Sequence, residues 1–478
     1  MPLLDPTTWQ TRPLSGGEHP VTEPATGERL GAVTLAAADD VAAAARAAHA
    51  ARTEWAGAPH FVRAAVLRKA GDLFAEHADE LRDWIVRESG SIPGKADFEL
   101  QVAAQECYEA AALASRPTGQ VLPSEAPRLS YTRRVPVGVV GVIAPFNAPL
   151  ILSIRSVAPA LALGNGVVLK PDPRTAVCGG LALAAVFAEA GLPDGLLHVL
   201  PGGAEAGQAL VADPLVPVVS FTGSTGAGRA VGEAAGRHLK RAHLELGGNS
   251  ALVVLADADL DAVISTAAWG SFFHQGQICM TTGRHLVHAS LYEEYVERLA
   301  VKADSLAVGD PYREQVHLGP IIDDAQLAKI RGLVETSTAR GAKLAAGGEH
   351  DRLFYRPTVL AGVDDTTPAY TEEVFGPVAP VRSFDTLDEV AALASAGPYG
   401  LSLGIVTRDT ARGLELADRI PTGIVHINDQ TVNDEAVAPF GGTAASGTGA
   451  RFGGDANLDA FTDIRWTTVR GDVAGYPF

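Results

Sequence analysis

VVGVIAPFNAPLILSIRSVAPALALGNGVVLK, residues 139–170, decides the fold. It opens on a short apolar run, VVGVIAP (139–145), and closes on another, GVVLK (166–170). Residues 150–163 between them read as a helix. Apolar strands without polar alternation belong in a parallel sheet covered on both faces. The rhythm continues downstream. LLHVL (196–200), PVVSFTG (217–223) and ALVVL (251–255) read as strands, with helical stretches near 175–190, 203–212 and 226–240. Strand–helix alternation of this kind indicates an α/β architecture. A second block of the same type runs from about 260 to 429. Upstream, the Ala-rich residues 37–56 and the stretches 60–89 and 97–115 read as helices. The segment 125–135 is expected to pair with the strand-like tail IRWTTVR (464–470).

Composition sets the outer limits. At roughly 100–200 residues per domain, 478 residues predict two to four domains. Apolar residues make up 47% and charged residues 20%, which excludes a disordered chain. The net charge of −18 disfavours nucleic acid and anionic membranes as partners. No apolar run is long enough to span a bilayer. The N-terminal MPLLDPTTWQTRPLSGGEHP has no basic start and no apolar centre, so it does not read as a secretory signal. These features point to the cytoplasm. The three cysteines, Cys107, Cys178 and Cys279, fit a reducing compartment with one working thiol. There is no metal-binding spacing.

Several motifs carry chemistry. PVVSFTGSTGAGRAVGEAAG (217–236) reads strand, turn, helix. Gly223, Gly226 and Gly228 would let the chain turn, and Ser224 or Thr225 would cap the helix. A helix N-terminus suits a diphosphate, yet the order is not G-x-G-x-x-G, so an anion site and a plain connection stand about equal. Lys170 ends a parallel strand, where it could meet a ribose or phosphate or simply face solvent. Asn147 lies on a proline-flanked turn after a strand. Its amide could serve as an oxyanion donor or satisfy its own backbone. Glu245 precedes Gly247-Gly248, which allow close ligand approach; it could have a raised pKa and act as a base, or be an exposed edge glutamate. Cys279 lies on a Gly-containing loop (GQICMTTG), unlike Cys107 and Cys178, which fall on helices. His274 is assigned a structural role.

Taken together and in order, APFN, VVLKPDP, FTGSTGAG, LELGGN, GQIC and EEVFGPV are far more specific than any one of them. The chain resembles the aldehyde dehydrogenase superfamily from about residue 23 to the tail. Within it, KPDPRTAVCGG, HQGQICMTTGRH and HINDQTVNDE most resemble benzaldehyde and vanillin dehydrogenases. The resemblance implies a Rossmann-type cofactor domain (1–119 and 139–247) and an α/β catalytic domain (248–445). It also implies a small β bridging element (120–138 and 446–478) used in homodimers or homotetramers. It implies NAD or NADP as cofactor and an aromatic aldehyde as substrate, oxidised to the carboxylic acid. Cys279 would be the nucleophile. The Asn147 amide and the Cys279 backbone N–H would hold the oxyanion, and Glu245 would activate the hydrolytic water. Lys170 and Glu373 would hold the riboses, with Phe375 near the nicotinamide ribose and Ser224 on the diphosphate. Pro173, Arg174, Phe221, Thr222, Gly223, Leu246 and Gly247 would line the same cleft.

The sequence departs from the family pattern in four places. Phe146 replaces a frequent Trp before the oxyanion Asn. The usual Lys shortly after FGG is missing. Pro173 stands where NAD-preferring members carry Glu, which removes a carboxylate that repels a 2′-phosphate. Arg174 beside it could even pair with that phosphate, so both dinucleotides are expected to be used. Arg155 falls where many relatives place a bulky aromatic. Phe146, Ile151, Leu152, Arg155, Ile278, Met280 and the loop 428–437 are expected to line the substrate tunnel, with 151 and 155 on one helix face. Arg155 would either contact a substituted ring or pair with Asp434 or Glu435 and shape the wall. Two other readings stand beside this one. They are an aliphatic or semialdehyde dehydrogenase, and a silent nucleotide-binding or crystallin-like protein.

Overall fold

The computed structural model describes residues 3–4, 14–116 and 118–478. Most of the N-terminal stretch read above for a signal therefore lies outside the described residues. Two sheets organise the molecule. The first has five parallel strands in the spatial order Leu197–Val199, Gly166–Lys170, Val139–Ile143, Val218–Thr222 and Arg241–Glu245. The chain winds outward from Val139–Ile143 in both directions. The point where strand order reverses thus lies between that strand and Val218–Thr222, and ligands of open α/β sheets gather beyond such a point. All five residues of Val139–Ile143 and all five of Gly166–Lys170 are buried, because helices cover both faces.

The second sheet has seven strands. Its centre is Thr282–His288, flanked by Ser250–Val254 and Val378–Phe384 in parallel. The edge strand Lys343–Ala346 runs antiparallel to Thr358–Ala361. Glu245 ends the first sheet and Ser250 begins the second, so the carboxyl edge of one faces the amino edge of the other. A third element pairs Leu129–Pro136 with Thr462–Val469 antiparallel, in the expected region. No helix among the described residues is long and apolar enough to cross a membrane.

Three local readings are corrected. The stretch 60–89 forms two helices, His60–Glu76 and Ala78–Ser89, broken at His77 (φ −104°, ψ 20°). The stretch near 175–190 opens with a 3₁₀ turn, Pro173–Thr175, and a π-turn, Val177–Leu181, before the α-helix Ala182–Glu189. The buried Glu88 carboxylate accepts the Val177 and Cys178 N–H groups (2.9 and 2.7 Å), so these donors need no helical partner. Finally, none of Gly223, Gly226 and Gly228 is left-handed. At Gly228 the constraint is packing: a Cβ there would lie 2.1 Å from Leu246 Cδ2, so that side chain would have to move.

Candidate active site

Two cavities meet between the sheets. The larger, about 690 Å³, is bounded by the ends of the first sheet's strands and by the helices Ala204–Ala212 and Thr225–Arg237. The smaller, about 410 Å³, runs along the helix Pro149–Ala162. Asn147, Leu152 and Cys279 line both, so the thiol lies at their junction.

The loop that presents Cys279 is unusual. His274 (φ 50°), Gln275 (φ 56°) and Gly276 (φ 65°) are left-handed in succession. Non-glycine residues pay about 1–3 kcal/mol each for this conformation, so their surroundings must enforce it. The Gln275 amide donates to the carbonyls of Gly90 (3.0 Å) and Pro320 (2.9 Å). The Thr281 hydroxyl donates to the Gly276 carbonyl (3.1 Å). A Cβ on Gly248 would stand 2.4 Å from the Cys279 carbonyl oxygen, so only glycine lets the thiol loop sit here. Burial, reinforced by the Glu373 carboxylate, pushes the Cys279 thiol up to about 12, and Arg155 pulls the other way. His274 is buried and neutral, its pKa held well below the usual value by burial and by Lys95.

Asn147 is held from behind by two residues the sequence reading missed. Lys95 Nζ donates to the Asn147 carbonyl (2.7 Å) and pairs with Glu99. Glu99 Oε2 accepts the N–H of Leu150 (3.0 Å) and Ile151 (3.4 Å), satisfying the start of the Pro149–Ala162 helix. Both side chains are almost fully buried. Their i,i+4 spacing on one helix was visible, but nothing in the sequence distinguished it from a solvated surface pair.

The larger cavity is suited to a dinucleotide. Lys170 Nζ donates to the carbonyls of Gly202 (2.7 Å) and Pro171 (3.2 Å), which leaves one ammonium hydrogen for a ligand. Burial lowers its pKa. Ser224 caps the Thr225–Arg237 helix by accepting the Ala227 N–H, and Phe221, Thr222 and Gly223 line the adjacent wall. Gly207, Val211, Ala227, Ala230 and Val231 give the cavity an apolar lining, the kind of surface a planar base packs against. Leu246 and Gly247 line the same cavity. Glu373 Oε1 accepts the Gly248 N–H (2.9 Å), and burial raises its pKa. Phe375 is left-handed (φ 55°), and Gln326 Nε2 holds its carbonyl (2.8 Å).

Some expected residues stand elsewhere. Arg174 lines this cavity, but its guanidinium is engaged by Asp172 (2.8 Å) and Asp323 (2.6 Å) and lies over the Phe146 ring (4.1 Å). Two carboxylates therefore already offset the charge expected to meet a 2′-phosphate. Phe146 lines the larger cavity rather than the smaller, edge-on to Phe375 (5.9 Å). Pro173 lines neither cavity and opens the 3₁₀ turn capped by Asp172. Glu245 also lines neither. Its oxygens are buried, and burial pushes its pKa well up, as the sequence reading expected.

Ile151, Leu152, Arg155, Ile278 and Met280 line the smaller cavity, together with Gln430, Val432, Asn433 and Asp434 of the expected loop. Of the two roles open to Arg155, the ion pair with Asp434 is formed. Its guanidinium also lies 4.5 Å from the centre of the Phe440 ring. Trp269 and Phe273, which the sequence reading did not single out, stack at 4.2 Å along the same wall.

The aldehyde dehydrogenase family model matches residues 11–467. The chain belongs to this family. It is 70% identical to the vanillin dehydrogenase of an Amycolatopsis species, with 100% of each chain covered. It is 50% identical to the NAD(+) benzaldehyde dehydrogenase of Pseudomonas putida, over 97% of this chain and 95% of that one. A solved relative is the salicylaldehyde dehydrogenase of Pseudomonas putida G7, complexed with salicylaldehyde. It superposes with a TM-score of 0.94 at 34% identity, covering 98% of both chains. As an aldehyde dehydrogenase the chain has the α/β, Rossmann-type fold read from its sequence, and NAD(P) is its cofactor.

Proposed function

We propose that this aldehyde dehydrogenase oxidises an aromatic aldehyde of the benzaldehyde or vanillin type to its carboxylic acid. The observation that carries the reading is the position of Cys279 at the junction of a dinucleotide-sized cavity and an apolar, aromatic-walled one. The names of the relatives support the ring. The Cys279 sulfur adds to the carbonyl carbon. Burial pushes the thiol pKa up, so the S–H proton passes to solvent in the cavity as the S–C bond forms and the carbonyl π bond opens to the oxyanion. The Asn147 amide and the Cys279 N–H stabilise the resulting oxyanion. Such donors are worth about 10²–10³ in rate. Loss of the adduct's C–H hydride to a bound nicotinamide dinucleotide, the oxidant this family uses, would leave a thioester on Cys279. Lys170 and Glu373 would hold the dinucleotide's riboses, and Ser224 and the helix it caps would receive its diphosphate. Glu245 then activates the water that hydrolyses the thioester. Since Glu245 lines neither cavity, this step requires its side chain to rotate toward the sulfur.

The chain division at 1–119 with 139–247, 248–445, and 120–138 with 446–478 belongs to the same proposal. So does a cytoplasmic homodimer or homotetramer. Exposed Leu129, Ile464 and Trp466 on the two-stranded ribbon support it.

An aldehyde-by-dinucleotide matrix of NAD(P)H appearance tests the reading. Benzaldehydes are expected to exceed straight-chain aldehydes in kcat/KM, and the reverse order would overturn the substrate class. Both dinucleotides are expected to turn over, because Pro173 carries no repelling carboxylate. An NADP rate more than about a thousandfold below NAD, roughly 4 kcal/mol, would refute that. Arg155→Ala is expected to depress benzaldehyde and para-hydroxybenzaldehyde alike, since the guanidinium is committed to Asp434. A loss more than about tenfold larger on the hydroxylated ring, about 1.4 kcal/mol, would assign a direct contact instead.

A further inference from the structure

A polar pair lies behind the thiol with no role assigned to one of its members. The two-residue period of the Arg241–Glu245 strand sets His243 and Glu245 on one face. Nε2 of His243 lies 3.8 Å from Oε1 of Glu245. Both side chains are buried, each 2% exposed. Among the described residues, neither ring nitrogen of His243 has a hydrogen-bond partner, and the Glu245 carboxyl has only a weak backbone contact from Gly442. Buried polar atoms are ordinarily paired, because each one left alone keeps its full desolvation cost. Here the unpartnered imidazole stands next to a carboxyl whose partners are nearly as few.

The imidazole is held in its orientation. It stacks on Phe452 with ring centroids 3.9 Å apart and planes 8° from parallel. Phe452 is tied to Phe440 by two backbone hydrogen bonds of 2.9 Å and has the Arg155 guanidinium 5.7 Å from its ring. Ser220, the register partner of His243 on the adjacent strand, is engaged with Ser156 (2.8 Å). The charged groups facing the pair are Arg155 from the Pro149–Ala162 helix, Arg241 from its own strand, Arg451 from the C-terminal segment and Asp434 from the tunnel loop. Burial above all, then the three guanidiniums, pushes the His243 pKa down to about 3. Burial pushes Glu245 up. The imidazole therefore offers a lone pair, and the carboxyl keeps its O–H to a higher pH than a solvated glutamate would.

We propose that His243 is a positioning residue for Glu245. With the ring proton on Nδ1, Nε2 accepts a hydrogen bond from the Glu245 carboxylic acid and keeps it withdrawn until the thioester forms. A rotation of the carboxyl about its soft terminal torsion closes the present gap. This rests on the reading of Glu245 as the base for hydrolysis. An acceptor for the neutral acid stabilises that form, so His243 raises the pH at which the carboxylate appears. Removing the acceptor lowers that pH.

The test uses the full-length protein without dinucleotide and para-nitrophenyl benzoate as the acylating probe. Acylation of the thiol releases nitrophenolate in a burst, and the slow phase reports hydrolysis of the thioester. Loss of the burst in Cys279→Ser supports the underlying reading, and a surviving burst overturns it independently of His243. His243→Phe keeps the stack and removes the acceptor, whereas His243→Gln restores an acceptor. The acid limb of the slow phase is expected to move down by about 0.5–1 pH unit in His243→Phe, the scale of one neutral hydrogen bond. His243→Gln should return it toward the parent position. If the phenylalanine variant does not fold, His243→Met reads the same limb. An unmoved limb in the acceptor-free variant overturns the proposal, whatever happens to the rate, because a merely structural role would change the rate alone.

Discussion

Replacing Cys279 by serine is expected to lower turnover by at least about 10⁴-fold, because outright loss of a covalent nucleophile costs about 10⁶-fold and serine keeps only a far weaker one. The size of the loss follows from the loop. Cys279 stands in a setting whose burial and neighbouring carboxylates already oppose ionisation of a thiol. A hydroxyl, far weaker as an acid, is opposed still more. The dinucleotide cavity is lined by Lys170, Ser224 and Glu373, none of which the substitution touches. Dinucleotide affinity, measured by fluorescence titration, should therefore stay within about twofold of the parent while NAD(P)H production collapses. Turnover within tenfold of the parent would eliminate the covalent mechanism. A parallel loss of dinucleotide affinity would mean that the serine variant is misfolded.

Replacing Glu99 by alanine should produce the largest loss of stability, about 3–5 kcal/mol, because it strands one charge of a buried pair. Lys95 would keep its ammonium with only the Asn147 carbonyl as acceptor, and the Leu150 and Ile151 N–H groups would lose theirs. The midpoint of the first transition in urea reads this loss. Since the same pair holds Asn147, kcat should fall as well, by about a hundredfold for a displacement near 1 Å. The double variant Lys95→Met, Glu99→Leu removes both charges and should recover much of the stability. Its activity should recover less, because neither new side chain holds the Asn147 carbonyl. A Glu99→Ala protein as stable as the parent would show that the pair carries no net weight.

Much of the scaffold was legible because its signals are local. Val139–Ile143 and Gly166–Lys170 are continuous apolar runs, and such runs have few other places to go than a doubly covered sheet. Ser224 was readable as a helix cap because capping needs only a hydroxyl a few residues before the amides it serves. The break at His77 was not readable, since the residues on either side of it remain good helix formers. The π-turn at Val177–Leu181 was hidden for a different reason. It depends on a carboxylate, Glu88, about ninety residues earlier in the chain.

The site divides along the same line. The residue types at 147, 245 and 279, their order and their glycine neighbours are properties of the chain alone, and they sufficed to indicate the family. Their arrangement is not local. Lys95 and Glu99 look like a surface pair until the Pro149–Ala162 helix is laid against them. Arg155 lines the tunnel and could have been left to meet the substrate ring or an acid, and the fold brought Asp434 to it from 279 residues away. Glu245 sits beside His243 by strand period, yet only the packing of Phe452 and the removal of water make those two groups each other's polar neighbours. Covalent order specifies which groups exist and which local shapes they favour. Burial, and with it the strength and partner of every charge, exists only once distant segments have excluded the solvent between them.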